Sequence, residues 1–367
     1  MLSIIGRVQQ VVVIAHCATV TSESVKQLID TLPHIEVDAA PSRRAPRLSA
    51  FLESEGYGPV RYDVATEPAA GEVRFHRVEA SGVPVMSSGL VESSQPEIDE
   101  VVRLITQRAA GFAVVPSSYR LVVVTLTDAF RTRLGAELKS LAGKSKAMGR
   151  FLRHVRLASL RDVAGGRATD VILSMCYAKT THGRLLQQFG PLESTGGRGL
   201  LLDALALADH SLDIVSAFGS EDLDEERLHQ SGSRFLKTML TWAEQLDDRP
   251  VLPLRGAAGG NVLFDDIADR LRARGLNAAV DYGFDKGVKI PLVVGLKDKP
   301  FALAVQTDDA NFMSVQSTRR RHRLSAQDLI SLGWNVMTVW SVAAFVNPDK
   351  EVDRIVSRIG EIYREVE

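Results

Sequence analysis

The chain has 367 residues, enough for two domains that each bury a core, and its 45% apolar content excludes a mainly disordered protein. Lys and Arg (44) balance Asp and Glu (45), so the net charge of −1 excludes a histone-like polyanion binder while leaving room for local basic clusters. Cys17 and Cys176 are too few for a disulfide framework or a zinc site, and no apolar run reaches membrane-spanning length, so the expected setting is cytoplasmic, without membrane contact.

Residues 11–15 read as a buried strand, because Gln9-Gln10 precede the run and no small-residue cleavage site clearly follows it. A helix is expected over 22–31, capped by Thr21 or Ser22. Arg43-Arg44-Ala45-Pro46-Arg47-Leu48 opens another helical piece after a proline-bounded turn. Residues 55–95 are punctuated by Gly and Pro, and the alternation of Val73-Arg74-Phe75-His76-Arg77-Val78 suggests a small antiparallel excursion. Pro96-Glu97 begins an amphipathic helix through Ile98, Val101, Val102, Leu104 and Ile105. A buried strand at 121–124, a long helix over 127–152 and a strand at 155–159 come next.

Val171-Ile172-Leu173-Ser174 is apolar without alternation, as a central parallel strand should be. It leads into the cationic, hydroxyl-rich segment Tyr177-Ala178-Lys179-Thr180-Thr181-His182-Gly183-Arg184, read as a loop. Gly196-Gly197-Arg198 opens a helix, and Leu212-Asp213-Ile214-Val215-Ser216 returns to the sheet. Strands alternating with helices imply a mostly parallel sheet. Residues 247–260 form the best linker. Beyond it come a helix at 261–274, strands near 277–282, 289–296 and 301–307, a helix at 319–332, a strand at 335–340 and a last helix at 349–366.

The first part, residues 1–246, resembles the second RecA-like motor domain of superfamily 1 helicases. Gly143-Lys144-Ser145 does not act as its phosphate loop, because Leu138 stands where the upstream glycine belongs and a helical pattern surrounds it. The resemblance implies that the first motor domain, with its phosphate loop and acidic pair, is absent from this chain. Residues 10–16 match motif III, with Ala15-His16 in place of Gly-Asp, and Ser42–Leu48 resembles motif IV, with Arg43 at the tyrosine position and Arg44 at the arginine. Where motif V has Gln and Glu, Ala164 and Arg167 stand, and Leu207 replaces the motif VI arginine that faces the γ-phosphate. Such an arginine is worth ~10³–10⁵ in rate, so no ATP hydrolysis is expected from this chain alone. The resemblance assigns nucleic-acid contact to Lys179, Thr180, Thr181, His182 and Arg184, whose hydroxyls and cations suit phosphate oxygens, and to Arg43 and Arg44. The blander alternatives are a solvated loop and arginines paired with neighbouring carboxylates.

Residues 261–367 resemble the restriction-endonuclease-like, PD-(D/E)xK domain that ends many large bacterial superfamily 1 helicases and is related to very-short-patch repair endonucleases. The matching phrases are Leu271–Leu276, Tyr282-Gly283, Lys289-Ile290, Leu332-Gly333-Trp334, Val339-Trp340-Ser341 and Asn347-Pro348. Such nucleases hold Mg²⁺ through two acids. Here the resemblance aligns Pro291 with the first and Gln306 with the second, leaving Lys289 and Asp308. The alternating Arg-Asp-Arg-Asp-Arg of the family becomes Arg319-Arg320-Arg321-His322-Arg323, a cationic run suited to phosphates unless Asp265 or Asp269 pairs with it. Trp334 and Trp340 read as core. His16, His182 and His322 read as structural or solvent-facing, and the scattered histidines give no catalytic set.

The fold class expected is α/β: a RecA-like, mostly parallel sheet domain followed by an αβββαβ PD-(D/E)xK-like domain. The expected function is binding of nucleic acid, DNA foremost, or docking to a helicase or nuclease partner, with no catalytic residues, no metal and no cofactor. A second reading makes the chain the C-terminal subunit of a split ATP-dependent helicase-nuclease. A third is a residual nuclease using Asp308 with Asp309 or Asp285.

Overall fold

The run at 121–124 lacks polar alternation because both faces of its strand are covered. In the computed structural model of the chain it lies inside a five-stranded, all-parallel sheet. The structure describes residues 41, 43–57, 64, 72–92, 94–246, 262–284 and 288–364, with Gln27, Thr31 and Pro33 besides. The expected strand at 11–15, motif III at 10–16, Ser42, the linker at 247–260 and Asp285 lie outside these residues, as does the helix at 22–31 apart from Gln27 and Thr31, which are helical. The described residues pack as two units. Those within Met1–Val37, Ala50–Pro59 and Glu72–Arg249 form the first, and those within Asp38–Ser49, Val60–Gly71 and Pro250–Glu367 the second. Arg43, Arg44 and Val64, which the sequence reading gave to the first domain, thus group with the second.

In the first unit the sheet has the order β1 (Val73–Arg77), β8 (Ala208–Ser216), β6 (Ala168–Ser174), β4 (Leu121–Thr125), β5 (Val155–Ser159). Val123 pairs with Ile172 and Ile172 with Asp213, which fixes the register of the three inner strands. Leu121, Val123, Val124, Val171, Ile172, Leu173, Leu212, Ile214 and Val215 fill the centre. Helices cover the sheet, among them α2 (Gln95–Ala110), α3 (Asp128–Lys144), α5 (Gly197–Ala206) and α6 (Ser231–Glu244); α1 (Pro46–Ser54) adds Phe51, stacked 4.3 Å from Trp242.

Three local expectations change. Residues 73–77 are not an antiparallel excursion but an edge strand parallel to β8, with only Arg74 and Arg77 exposed. The helix expected over 127–152 breaks at Ser145, whose extended backbone ends α3 and whose hydroxyl accepts from Met148 N (3.3 Å) to cap α4 (Lys146–Phe151). Gly143-Lys144-Ser145 is therefore a helix end and cap. The segment Tyr177–Arg184 is not wholly a loop: Tyr177–Thr180 is strand β7, between β2 (Ser81–Gly82, parallel) and β3 (Val91–Glu92, antiparallel). Gly183, at φ +75°, closes a tight turn in which Thr180 N donates to Arg184 O (2.9 Å), so these backbone groups are spent within the turn.

The second unit follows the αβββαβ order. α7 (Val262–Ala273) precedes the antiparallel β9 (Leu276–Tyr282), β10 (Ile290–Leu296) and β11 (Leu303–Gln306), and β12 (Asn335–Thr338) pairs parallel to β11, giving the order β12-β11-β10-β9. Phe264, Ile267 and Leu271 of α7 pack with Val280, Leu292, Val294, Leu303 and Val305 of the sheet. The terminal helix α11 (Pro348–Arg364) adds Val352, Ile355, Ile359 and Ile362, spaced by three and four on one stripe. Two short helices were not foreseen, α8 (Ala310–Ser314) and α10 (Ser341–Val346); between them Arg320–Leu324 forms a π-helical turn leading into α9 (Ser325–Ser331). Trp334 is core as expected, and its indole N–H donates to Val64 O (2.7 Å), an acceptor far away in sequence.

Candidate nucleic-acid interface

In the second unit the two positions aligned with metal-holding acids fall on neighbouring strands at one end of the sheet. Pro291 and Gln306 lie one residue beyond the paired Leu292 and Val305. Pro291 lacks an N–H, and the β9–β10 ladder skips it: pairing runs from Ile290–Tyr282 to Leu292–Val280. Asp281, the residue skipped opposite, sits at φ +48°. Burial raises the Asp281 carboxyl above its ordinary value, the charges of Asp309 and Asp265 add to the rise, and Lys289 opposes it. Lys289 Nζ donates to Gly283 O (3.3 Å).

Asp308 follows β11, and its carboxylate is hydrogen-bonded. Its Oδ1 accepts from Ser341 N (2.7 Å) and Thr307 Oγ1 (3.1 Å), and its Oδ2 accepts from Ser341 Oγ (2.9 Å). Burial works against ionisation, but the Ser341 backbone and hydroxyl bonds outweigh it and hold the carboxyl below the ordinary aspartate value. Asp309 caps α8 by accepting from Phe312 N (2.7 Å). Among the described residues no three His, Cys, Asp or Glu side chains converge as a metal-holding group.

The cationic run begins just past α8. Arg319 and Arg323 are exposed, and among the described residues neither they nor Arg321 has a carboxylate within ion-pair reach. Asp269, one of the partners weighed for the run, is taken by Arg272 (2.6 Å). Arg321 lies over the Phe312 ring at 5.7 Å, and its Nε is buried without a hydrogen-bond partner. Phe312, His322 and Trp340 form an aromatic cluster, with Phe312 5.9 Å from Trp340 and His322 6.2 Å from it. The core reading of Trp340 is corrected: β12 ends at Thr338, so Trp340 caps α10 instead of continuing a strand and is 43% exposed. Arg43 donates to Ser331 O (3.4 Å).

In the first unit the motif positions separate into two groups. Ala164 and Arg167 precede β6, and Leu207 precedes β8, at the N-terminal ends of the strands. Ala168 N donates to Leu207 O (2.9 Å), and Arg167 is paired with Asp209 (2.6 Å). Leu207 is buried. At the opposite end lies the β7 hairpin. Lys179 is paired with Asp222 (2.7 Å), and Thr180 Oγ1 accepts from Arg184 N (3.2 Å), whereas Thr181, His182 and Arg184 are exposed at the tip.

Two buried polar groupings escaped the sequence reading. Arg108 of α2 bridges Asp213 and Asp170 (3.4 Å to the latter) beneath the sheet. Asp170 also accepts from Tyr119 (2.7 Å) and Ser211 (2.5 Å), and Asp213 contacts His76 (2.7 Å), which reaches Glu100 (3.2 Å). Burial opposes both charges, yet their hydrogen bonds and Arg108 hold Asp170 and Asp213 below ordinary aspartate values. The available signal was an acid inside each apolar run, as in Leu212-Asp213-Ile214. The second grouping is Glu97, wholly buried on the first turn of α2, whose Oε1 accepts from Ser174 Oγ (2.7 Å) and Cys176 N (2.8 Å). Burial pushes its carboxyl up to about 7.

Comparison with known proteins places this geometry in a class. Residues 264–359, within the second unit, match the family model REase_MTES_1575, so this segment is restriction-endonuclease-like. Among solved structures the chain is similar to the C-terminal domain of a possible DNA helicase from Lactobacillus plantarum WCFS1, at 13% identity over 48% of this chain and 88% of that one, with a TM-score of 0.26. No curated protein matches. Among the described residues no helix is long and apolar enough to cross a membrane.

Proposed function

We propose that the chain is a nucleic-acid-binding component of DNA processing, derived from a helicase and a nuclease, without an ATPase or nuclease centre of its own. The observation that carries the reading is the state of the nuclease-like site. Asp308 is clamped by Ser341 and Thr307, while Arg319, Arg321 and Arg323 stand nearby in sequence without carboxylate partners among the described residues. A carboxylate already bound by donors is a poor ligand for a hard cation, whereas unpaired guanidinium groups suit phosphate oxygens. In the first unit the exposed Thr181, His182 and Arg184 form a second, smaller contact, and Lys179, tied to Asp222, supports it. A hydrophobic Leu207 supplies no charge at the position aligned with the phosphate-facing arginine.

The test is binding of labelled single and double strands by fluorescence anisotropy across a salt series. Each lost phosphate contact lowers the slope of log K against log salt by roughly 0.7–0.9. The triple variant Arg319→Ala, Arg321→Ala, Arg323→Ala is therefore expected to lower it by about two to three. An unchanged slope, or plasmid nicking with Mg²⁺ or Mn²⁺ that Asp308→Ala abolishes, overturns the reading.

A further inference from the structure

The aromatic cluster beside the arginines has a use that phosphate contact does not exhaust. Trp340 is placed by its neighbours. Its carbonyl accepts from Ala344 N (3.0 Å), and the next residue, Ser341, is fixed on both N–H and hydroxyl by Asp308 (2.7 and 2.9 Å). Phe312 meets its ring edge-on at an interplanar angle of 80°, and His322 tilts against it at 48°. The indole is thus oriented by packing while 43% of the residue stays open to solvent. On the short helix it caps, Val342 and Phe345 are 70% and 80% exposed, so the apolar surface continues past the tryptophan. Trp242 and Trp334, by contrast, are buried.

A preoriented, half-open indole next to a cationic turn meets the two requirements of a single strand: a face for the base and charges for the backbone. A duplex keeps its bases stacked on one another and offers only its phosphates and groove edges. We infer that Trp340, backed by Phe312 and His322, is a stacking platform for unpaired bases, so that this face prefers single-stranded over double-stranded nucleic acid. The inference rests on the nucleic-acid reading above and names the substrate class of that same site.

The experiment uses the full chain with three probes of equal length: oligo-dT, the same backbone without bases, and a duplex. Trp340→Ala is expected to weaken oligo-dT binding about tenfold, within the range for loss of one base stack, and to leave the base-free strand and the duplex unchanged. Its salt slope stays that of the unmodified protein, unlike that of Arg319→Ala. Oligo-dT quenches the fluorescence of the unmodified protein, and Trp340→Phe, which preserves an aromatic face, binds within a few-fold but is no longer quenched. Retention of the unmodified protein's melting temperature by Trp340→Phe keeps the result independent of any folding defect in Trp340→Ala. Equal affinity for oligo-dT and the base-free strand, or salt-dependent binding that neither Trp340 variant alters, sinks the stacking role and leaves the arginine contacts standing. No binding of any probe sinks both.

Discussion

Glu97 makes the stability of the first unit fall as pH rises from 5 to 8. A carboxylate on the first turn of a helix is usually helped by the helix dipole, by about 0.3–1 kcal/mol. Here that help is outweighed, because the side chain is wholly buried and burial raises its carboxyl from 4.5 to about 7. Burial outweighs the Ser174 and Cys176 hydrogen bonds that favour the charged form, so a proton on the carboxyl lowers the cost of the site. A carboxyl whose value is raised on folding contributes stability in its protonated form. That contribution is complete below about 4.5, declines as pH climbs toward 7, and is gone above it. At about 1.4 kcal/mol per tenfold, the rise from 4.5 to about 7 corresponds to about 3 kcal/mol. Glu97→Gln removes the titration, and its amide oxygen still accepts from Ser174 and Cys176. Amide hydrogen exchange of residues 171–178, corrected for the intrinsic pH dependence of exchange, reads the local opening free energy. The unmodified chain is expected to lose protection between pH 5 and 8, and Glu97→Gln to hold it level. A level profile in the unmodified chain, or a slope that survives in Glu97→Gln, refutes the reasoning.

Two further outcomes concern packing. Asp213→Ala removes one of the two carboxylates that Arg108 bridges, leaving Asp170 at 3.4 Å, and is expected to cost about 1.5–3 kcal/mol, the range for a buried hydrogen bond to a charged group. Arg103→Ala, which breaks a half-exposed pair with Glu100, should cost under about 1 kcal/mol; equal drops in melting temperature would contradict this contrast. Gly232→Ala places a Cβ about 2.3 Å from Leu192 O and 2.9 Å from Gly197 Cα, both backbone. Backbone cannot swing aside, so a loss of about 3 kcal/mol or more is expected in denaturant titration.

What was legible in the sequence follows from which interactions are local. Apolar runs without alternation marked β4, β6 and β8 because burial on both faces leaves that pattern wherever the strands lie in the chain. The strands β9, β10 and β11 and the last helix, expected near 277–282, 289–296, 301–307 and 349–366, were legible as local patterns too. Trp340 was not, because the period of a strand and the start of a helix look alike over three residues. Only the Asp308 clamp on Ser341, a contact across 33 positions, decides between them. The edge position of β1 was hidden too, since its partner β8 lies more than a hundred residues downstream. Asp170, Asp213 and Arg108 were visible as charges in apolar surroundings, but their convergence depends on the packing of α2 against the sheet.

In the restriction-endonuclease-like segment the core forms independently of Pro291 and Gln306. Its core is made by Phe264, Leu292, Val294, Leu303, Val305 and Ile355, none of which is an aligned metal position. Pro291, which in an unbroken central strand would forfeit a ladder bond, sits where the β9–β10 pairing already has a gap, opposite Asp281 in a left-handed conformation. Gln306 keeps its backbone role, accepting from Val339 N (2.9 Å) in the parallel step to β12. Asp308 accepts from three donors, two of them on Ser341, and so fixes the start of α10. The clamp that occupies this carboxylate therefore holds the residue next to Trp340, which ties the acid at the end of β11 to the building of the surface beside it.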